Sequence, residues 1–464
     1  MIISGGKENK MPTIAAISTP NAAGGIGIVR ISGDDAFKIA DRCFRCVSDN
    51  KKTENMKGYT AAYGTVFDSD GEIDDGVAIV YRTPHSYTGE NTVELCCHGG
   101  LFVMQRVLRA VLAAGAVSAG PGEFTKRAFL NGKMDLVQAE SVMNIISAQG
   151  SASLNASRNA LRGAVGKKAD EISEMLISAA ASLAAWADYP EDDVPAVDGQ
   201  SLSVSLENAA KELKKLIDRC DNGKAVTEGV RTVICGKPNV GKSTLMNLLS
   251  GYDRSIVTSV AGTTRDVVEE TVRIGDIILR LADTAGIHET EDEVESIGVD
   301  IARDRIENAD FTLAVFDVSR ELTKEDAELL ELCRGRRCVA VINKTDLENV
   351  LCTDEIKRSI PEVVYISAKN PDSADVLKAA LERTLGLDRT DLSQEVLIGE
   401  RQRKSVVDAL RFVNEAIEAL NCGLTLDAVN VSIDCALSSL YSLTGKRVTD
   451  ETVNEVFKRF CVGK

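Results

Sequence analysis

The pattern of hydrophobic and polar positions changes several times along the chain. Residues 12 to about 130 carry short apolar runs separated by glycine-rich turns, with two helical stretches between them. Short apolar runs bounded by such turns are typical of β-strands. The pattern therefore predicts an α+β domain over residues 1–133, with strands at 13–17, 27–31 and 76–81.

Helical periodicity replaces this pattern from Asp135 to about residue 224 and returns after Leu392, most clearly at 171–186 and 206–217. Amphipathic helices must bury their apolar faces against a partner. We therefore predict one central helical bundle, formed by 134–228 and 388–464, with the segment 229–387 inserted into it as a compact domain. Three independent domains are the alternative, but no Gly/Ser-rich or Pro-rich linker separates the segments.

The inserted segment contains a glycine-rich loop between a predicted strand and a predicted helix. Residues 236–244 read Gly-Lys-Pro-Asn-Val-Gly-Lys-Ser-Thr, after the apolar run 232–235 and before the helical run 244–249. This is the context that a phosphate-binding loop requires. Lys242 is expected to reach the outer phosphates of a nucleoside triphosphate, and the Ser243 hydroxyl to ligate Mg²⁺.

Three further motifs follow predicted strands and indicate that the nucleotide is GTP. They read Asp283-Thr-Ala-Gly286, Asn343-Lys-Thr-Asp346 and Ser367-Ala-Lys369. The Asp346 carboxylate suits the two N–H donors of guanine, and adenine lacks that pair. Ligands bind at the carboxyl ends of the strands in such sheets. The predicted fold class is therefore α/β plus α, in which the inserted domain is a Ras-like GTPase domain with a doubly wound sheet and a P-loop.

The predicted GTP contacts lie in these motifs and in the segment after the phosphate loop. They are Asn239, Val240, Gly241, Lys242, Ser243, Thr244, Thr258, Thr263, Thr264, Asp283, Thr284, Ala285, Gly286, Asn343, Lys344, Asp346, Ser367, Ala368 and Lys369.

Composition and charge limit the compartment and the partners. We expect a cytoplasmic protein, because there is no apolar run of membrane-spanning length and no apolar signal core near the start. The 12 scattered cysteines are expected to be reduced. The net charge is −16, so any contact with RNA must use a local basic patch. Lys126-Arg127 and the basic cluster at 401–404 are the candidates.

The chain resembles the MnmE (TrmE) family of tRNA modification GTPases nearly from end to end. Besides the nucleotide motifs, the resemblance is carried by four strings: Gly24-Gly-Ile-Gly-Ile-Val-Arg-Ile-Ser-Gly33, Tyr87-Thr-Gly-Glu90 with Val93-Glu-Leu-x-x-His-Gly-Gly100, Pro121-Gly-Glu-Phe-Thr-Lys-Arg-Ala-Phe-Leu-Asn-Gly-Lys133, and Cys461-Val-Gly-Lys464. The nucleotide motifs alone fit many translation-associated GTPases, whereas these strings are specific to the family.

The resemblance implies that the N-terminal domain binds a tetrahydrofolate derivative, 5-formyl or 5,10-methylene, and forms a homodimer. The implied folate contacts are Arg30, Glu94, Lys133 and Lys464. A pterin edge pairs well with a carboxylate, and the glutamate tail of folate suits Arg and Lys. Cys461 is assigned a catalytic role as a nucleophile or proton carrier.

The resemblance also implies a partner and a reaction. The family works with a flavoprotein of the MnmG (GidA) type, forming a heterotetramer in which the partner holds FAD and NADH. Together they attach an aminomethyl or carboxymethylaminomethyl group, from a folate one-carbon unit, to C5 of the wobble uridine of certain tRNAs.

Hydrolysis needs a residue that orients water. Ras-like enzymes often place Gln after the D-x-x-G turn, but here Ile287 follows Gly286. The sequence alone does not rank Glu291, Glu293 and Glu295, and the resemblance assigns Glu295. His288 stands where the family pattern leads us to expect arginine.

Two cations are implied at the nucleotide. No arginine finger is evident, and the family uses K⁺ to stabilise charge on the transferring phosphoryl group. Its implied ligands are Asn239, Thr258, Val260 and Thr263, while Ser243 and Thr264 hold Mg²⁺.

Two other functions remain open from the sequence. One is a ribosome-assembly GTPase that binds rRNA, although such a protein would ordinarily carry a basic appendage. The other is a folate-binding one-carbon transferase in which the GTPase domain is only a regulator.

Overall fold

The computed structural model describes residues 11–48, 51–148, 150–188, 199–227, 229–252, 270–275, 277–281, 306–386 and 396–464. The chain divides into two compact units. Unit 1 comprises residues up to Met143 together with Asp434–Lys464, and unit 2 comprises Asn144–Ile433. Within the described ranges, no helix is both long and apolar enough to cross a membrane.

A sheet of seven described strands forms the centre of unit 1. The strands are β1 (Ile14–Ile17), β2 (Gly24–Ser32), β3 (Phe44–Cys46), β4 (Thr60–Asp68), β5 (Gly71–Tyr81), β6 (Thr92–Gly99) and β7 (Val117–Ser118). Their order is β3-β4-β5-β6-β2-β1-β7. Neighbouring strands are antiparallel, apart from β1 and β7, which are parallel. The strands predicted at 13–17, 27–31 and 76–81 are confirmed.

Two helices, α1 (Ala36–Cys43) and α2 (Leu101–Ala113), cover one face of this sheet. The next helices are α3 (Glu123–Leu130) and α4 (Leu136–Ile146). Val29 and Ile31 of β2 point into a core shared with α1 and α2, as does Leu95 of β6. Because side chains alternate along a strand, Arg30 and Glu94 lie on the opposite face, where the candidate site forms.

Arg127 on α3 is buried, with 2% of its side chain exposed. Its guanidinium donates to the Glu90 carboxylate at 3.2 Å, to Glu123 at 3.0 Å and to the Pro12 carbonyl at 2.8 Å. A buried cation of this kind requires such partners. The prediction that Lys126-Arg127 forms an RNA-binding patch is therefore wrong for Arg127.

Unit 2 begins with three helices that pack side by side: α5 (Ser151–Leu161), α6 (Ala164–Asp188) and α7 (Gly199–Thr227). The buried residues of α6 recur at alternating steps of four and three, as in Ile172, Leu176 and Ala179. This is the stripe that packs one helix along another. The helices predicted at 171–186 and 206–217 are confirmed within α6 and α7.

The GTPase domain follows α7 directly. Its elements are β8 (Val230–Cys235), α8 (Lys242–Tyr252), β9 (Glu270–Ile274), β10 (Ile277–Leu281), β11 (Phe311–Asp317), α9 (Lys324–Cys333), β12 (Cys338–Asn343), α10 (Asp354–Ser359), β13 (Glu362–Tyr365) and α11 (Ser373–Thr384). The described strand order is β13-β12-β11-β8-β10-β9. All neighbours are parallel except β9 and β10. Separate apolar cores cover its two faces, so the sheet is doubly wound, as predicted.

Helices after this domain return to those before it. The next elements are α12 (Glu400–Asn421) and α13 (Leu426–Thr444), and α12 packs along α7. Helices from both sides of the GTPase domain therefore share one core, which confirms a helical bundle with an inserted Ras-like domain.

The last segment of the chain belongs to unit 1. Phe457 of α14 (Asp450–Lys458) packs with Leu136 and Phe460. Beyond the helix, Val462 bridges to Pro121. Gly463 has φ +97°, and a Cβ at this position would collide with the Ile17 carbonyl. The C-terminal tail, residues 461–464, is therefore seated against β1 and the start of α3.

Candidate nucleotide site and C-terminal tail site

The phosphate loop turns sharply between β8 and α8 because of its glycines. Gly236 and Gly241 have φ values of +151° and +99°, and Asn239 is left-handed at +64°. A Cβ on Gly236 would collide with the Val315 carbonyl, and one on Gly241 with the Asn343 amide. The loop therefore requires glycine at both positions for conformation and for space.

Lys242 reaches back over this loop. Its ammonium donates to the carbonyls of Gly236 and Lys237, both at 2.8 Å. Burial lowers the pKa of Lys242 from its ordinary value. Ser243 and Thr244 are exposed at the start of α8, where helix N–H groups favour an anion. The arrangement suits a phosphate chain that takes the place of the two carbonyls around the ammonium.

Asn343 ties three parts of the nucleotide site together. Its side-chain amide donates to the Val240 carbonyl at 2.9 Å, and its Oδ1 accepts from the Ala368 N–H at 2.9 Å. It is 2% exposed, so both bonds are shielded from water. One side chain thereby fixes the phosphate loop and the 367–369 loop relative to the end of β12.

Lys344 forms a second link. Its ammonium donates to the Asn239 carbonyl at 2.6 Å and to the Asp317 carboxylate at 2.7 Å. Hydrogen bonds from Lys344 and Ser319 outweigh burial and lower the pKa of Asp317. Sequence reasoning missed Asp317, although it ends the apolar run 311–316 as Asp283 follows the run 277–282.

The predicted base contacts converge beside this link. Asp346 accepts from the Ser367 hydroxyl at 2.8 Å, and the Lys369 ammonium lies 3.6 Å from its other oxygen. The hydrogen bond from Ser367 lowers the pKa of Asp346. The carboxylate is therefore an exposed, ionised acceptor at the carboxyl edge of the sheet, as a guanine contact requires.

Several predicted contacts lie outside the described residues. They are Thr258, Val260, Thr263, Thr264, Asp283, Thr284, Ala285, Gly286, His288 and Glu295.

A second site lies in unit 1 on the sheet face opposite the α1 and α2 core. Arg30 and Glu94 face each other across β2 and β6, with Nε to Oε1 at 2.8 Å. The Tyr81 hydroxyl donates to the other Glu94 oxygen at 3.2 Å. The Arg30 guanidinium lies 5.5 Å from the ring centres of both Tyr87 and Phe124. An ion pair thus lies beside a flat aromatic surface.

The C-terminal tail closes on this ion pair. The Arg30 guanidinium donates to the Gly463 carbonyl at 3.5 Å, and the main-chain oxygen of Lys464 accepts from the Phe124 N–H at 3.2 Å. Burial, followed by repulsion from Arg30, lowers the pKa of Lys464, although Glu94 and Cys461 act in the opposite direction. Cys461 itself is exposed.

Three of the four predicted folate contacts therefore share one location, namely Arg30, Glu94 and Lys464. The fourth, Lys133, is exposed and donates to the Pro84 carbonyl at 3.0 Å. No described hydrogen bond or ion pair joins it to the other three. Sequence reasoning missed Tyr81, Tyr87 and Phe124, because their positions beside Arg30 and Glu94 depend on contacts between segments that are distant in sequence.

Comparisons with known proteins match two successive parts of the chain. Residues 13–133 match the family described as GTP-binding protein TrmE N-terminus, and residues 136–461 match the MnmE helical domain. The tRNA modification GTPase MnmE of Thermoanaerobacter pseudethanolicus is 38% identical over 459 residues, covering 97% of this chain and 99% of that protein. The protein of the same name from Lactobacillus delbrueckii subsp. bulgaricus is 40% identical, covering 97% and 98% respectively.

The base site makes one prediction. Asp346→Asn should weaken GTP binding by about a hundredfold or more, because the lost acceptor leaves guanine donors unpaired, and it should favour xanthosine triphosphate. Equilibrium binding of both nucleotides measures this, with Asp354→Asn as a control that removes an exposed carboxylate elsewhere in the domain. Unchanged GTP affinity without any gain for xanthosine triphosphate would show that the base lies elsewhere.

Proposed function

Since the chain belongs to the MnmE family of tRNA modification GTPases, we propose that it works with a flavoprotein of the MnmG type at C5 of the tRNA wobble uridine. The product is an aminomethyl or carboxymethylaminomethyl group built from a folate one-carbon unit. The observation that carries the proposal is the closure of the chain's own C-terminal tail over the Arg30–Glu94 ion pair. A GTPase that only binds RNA has no need of such a site.

The ion-pair site fits an anionic, flat ligand. Arg30 and Lys464 place cationic side chains beside the carboxylate of Glu94. The rings of Tyr87 and Phe124 offer apolar surface next to it. In this proposal Glu94 accepts from the pterin edge, while Arg30 and Lys464 hold anionic groups of 5-formyl- or 5,10-methylenetetrahydrofolate. Lys133 contacts the glutamate tail.

Cys461 has an exposed thiol beside the Lys464 ammonium. The thiolate is the nucleophilic form of a cysteine. We assign Cys461 a catalytic role as nucleophile or proton carrier at the folate carbon.

The nucleotide site fits GTP together with two cations. Ser243 and Thr264 are proposed to hold Mg²⁺, whose charge offsets the charge of the phosphates. Lys344 holds the Asn239 carbonyl, which leaves the exposed Asn239 side chain for K⁺, together with Thr258, Val260 and Thr263. Glu295 is proposed to orient the attacking water.

The proposed assembly is a homodimer that forms a heterotetramer with the flavoprotein, which carries FAD and NADH. Unit 1 has apolar surface suited to a partner. Ile26 and Phe102 are both 69% exposed, and Leu101 lies next to Phe102. Exposed apolar groups that lie together mark interaction sites.

Removal of the tail provides the main test. A chain lacking 461–464 should hydrolyse GTP at nearly the wild-type rate, because those residues belong to unit 1. It should fail to restore modified wobble uridine in a strain that lacks the native gene. Nucleoside analysis of bulk tRNA measures the modification, and the full chain is the control. Normal wobble nucleosides in the deletion strain would instead favour a ribosome-assembly GTPase, and full complementation by the truncated chain would leave the tail without a catalytic role.

The proposed K⁺ site makes a separate prediction. GTP hydrolysis should be at least about tenfold faster in KCl than in NaCl at equal ionic strength, because K⁺ stabilises charge that develops in the transition state. Asn239→Ala should abolish the difference while GTP still binds. Equal rates in both salts would remove K⁺ from the mechanism.

A further inference from the structure

An exposed group of cations lies where α5 meets α6. Arg158 is exposed in the last turn of α5, Arg162 is exposed at the C-cap of that helix, and Lys167 is exposed at the start of α6. Within the described residues, none of these three side chains has a hydrogen bond or ion pair. We call Arg158, Arg162 and Lys167 the α5–α6 basic patch.

Several other exposed cations of this acidic chain have acidic neighbours. Lys38, Arg334 and Arg411 lie within 4 Å of the carboxylates of Asp35, Glu331 and Asp408, respectively. Lys168, next to the patch, is bound to Glu212 at 2.7 Å and Glu171 at 3.1 Å. Residues 141–169, by contrast, contain no Asp or Glu, and the first acidic residues after the patch are Asp170 and Glu171.

The stability of α5 and α6 does not explain why all three cations are present at this junction. Cations at the end of α5 are favourable for the helix dipole, but Lys167 near the start of α6 opposes it. The first turn of α6 also carries no acidic residue, although an acid there would stabilise the helix. The positive potential is therefore concentrated at this junction despite its effect on α6.

We propose that the α5–α6 basic patch binds the phosphate backbone of tRNA. This rests on the proposed function, which makes tRNA the substrate. A chain with a net charge of −16 can approach a polyanion only through a local basic surface. Of the two candidates from the sequence, Lys126-Arg127 fails because Arg127 is buried and paired with two carboxylates. In the cluster at 401–404, Arg401 and Arg403 are only partly exposed. Exposed Asn155 on the same face of α5 adds a polar group for phosphate or ribose.

Contacts of this kind position RNA without reading its sequence. Loss of the patch should therefore weaken the binding of different tRNAs to a similar extent. It should also reduce the dependence of binding on salt, because fewer counterions are released from the RNA.

The experiment compares two triple variants of the full-length chain. Arg158→Ala/Arg162→Ala/Lys167→Ala removes the patch. Arg334→Ala/Arg411→Ala/Lys38→Ala removes the same residue types and formal charge from cations that have acidic neighbours. Binding of a fluorescent unmodified tRNA transcript is measured by anisotropy over a series of salt concentrations, and GTP hydrolysis checks that both variants fold.

The patch variant should bind tRNA about tenfold or more weakly, with a salt slope smaller by about 2 to 3, while the control stays close to wild type. Equal affinity and slope for the two variants would overturn the proposal. So would a patch variant that binds tRNA normally but loses the flavoprotein partner, since the surface would then recognise protein. Wild-type chain that does not bind tRNA would also overturn it, and the nucleoside analysis described above decides separately whether wobble modification itself fails.

Discussion

The close packing of Gly463 on the Ile17 carbonyl ties the end of the chain to its first strand. The tail can take this path only because Gly463 has a positive φ and lacks a side chain. The consequence for topology is that residues 434–464 must return to the unit formed by residues up to 143. All of unit 2, including the GTPase domain, is then an insertion between two parts of unit 1.

The same principle of insertion recurs inside unit 2. Helix α7 ends at Thr227 and β8 begins at Val230, while α12 follows the domain and packs along α7. The GTPase domain is therefore attached at both ends to helices that share one core. Within that domain, Asn343 and Lys344 connect the phosphate loop to the ends of β12 and β11.

The local chemistry of the nucleotide site could be predicted from sequence, because its motifs are contiguous and each one ends a strand. Gly236 and Gly241 form a tight loop between β8 and α8, and Asn343 ends β12, as the motifs predict. Asp317 was missed because its partner, Lys344, is distant in sequence. The same reason applies to Tyr81, whose bond to Glu94 depends on the pairing of β5 with β6. The prediction that Arg127 contacts RNA was wrong because its charge alone does not reveal the three groups that accept its hydrogen bonds.

The affinity for 5-formyltetrahydrofolate tests most directly whether the C-terminal tail completes the site at the Arg30–Glu94 ion pair. Gly463→Ala adds a Cβ against the Ile17 carbonyl, whereas Gly71→Ala adds one at a similar φ of +121° with open space around it. We expect Gly463→Ala to lower the affinity for 5-formyltetrahydrofolate by about tenfold or more in equilibrium dialysis, since it displaces Lys464, while Gly71→Ala has little effect. Wild-type affinity in the Gly463→Ala chain would contradict the account.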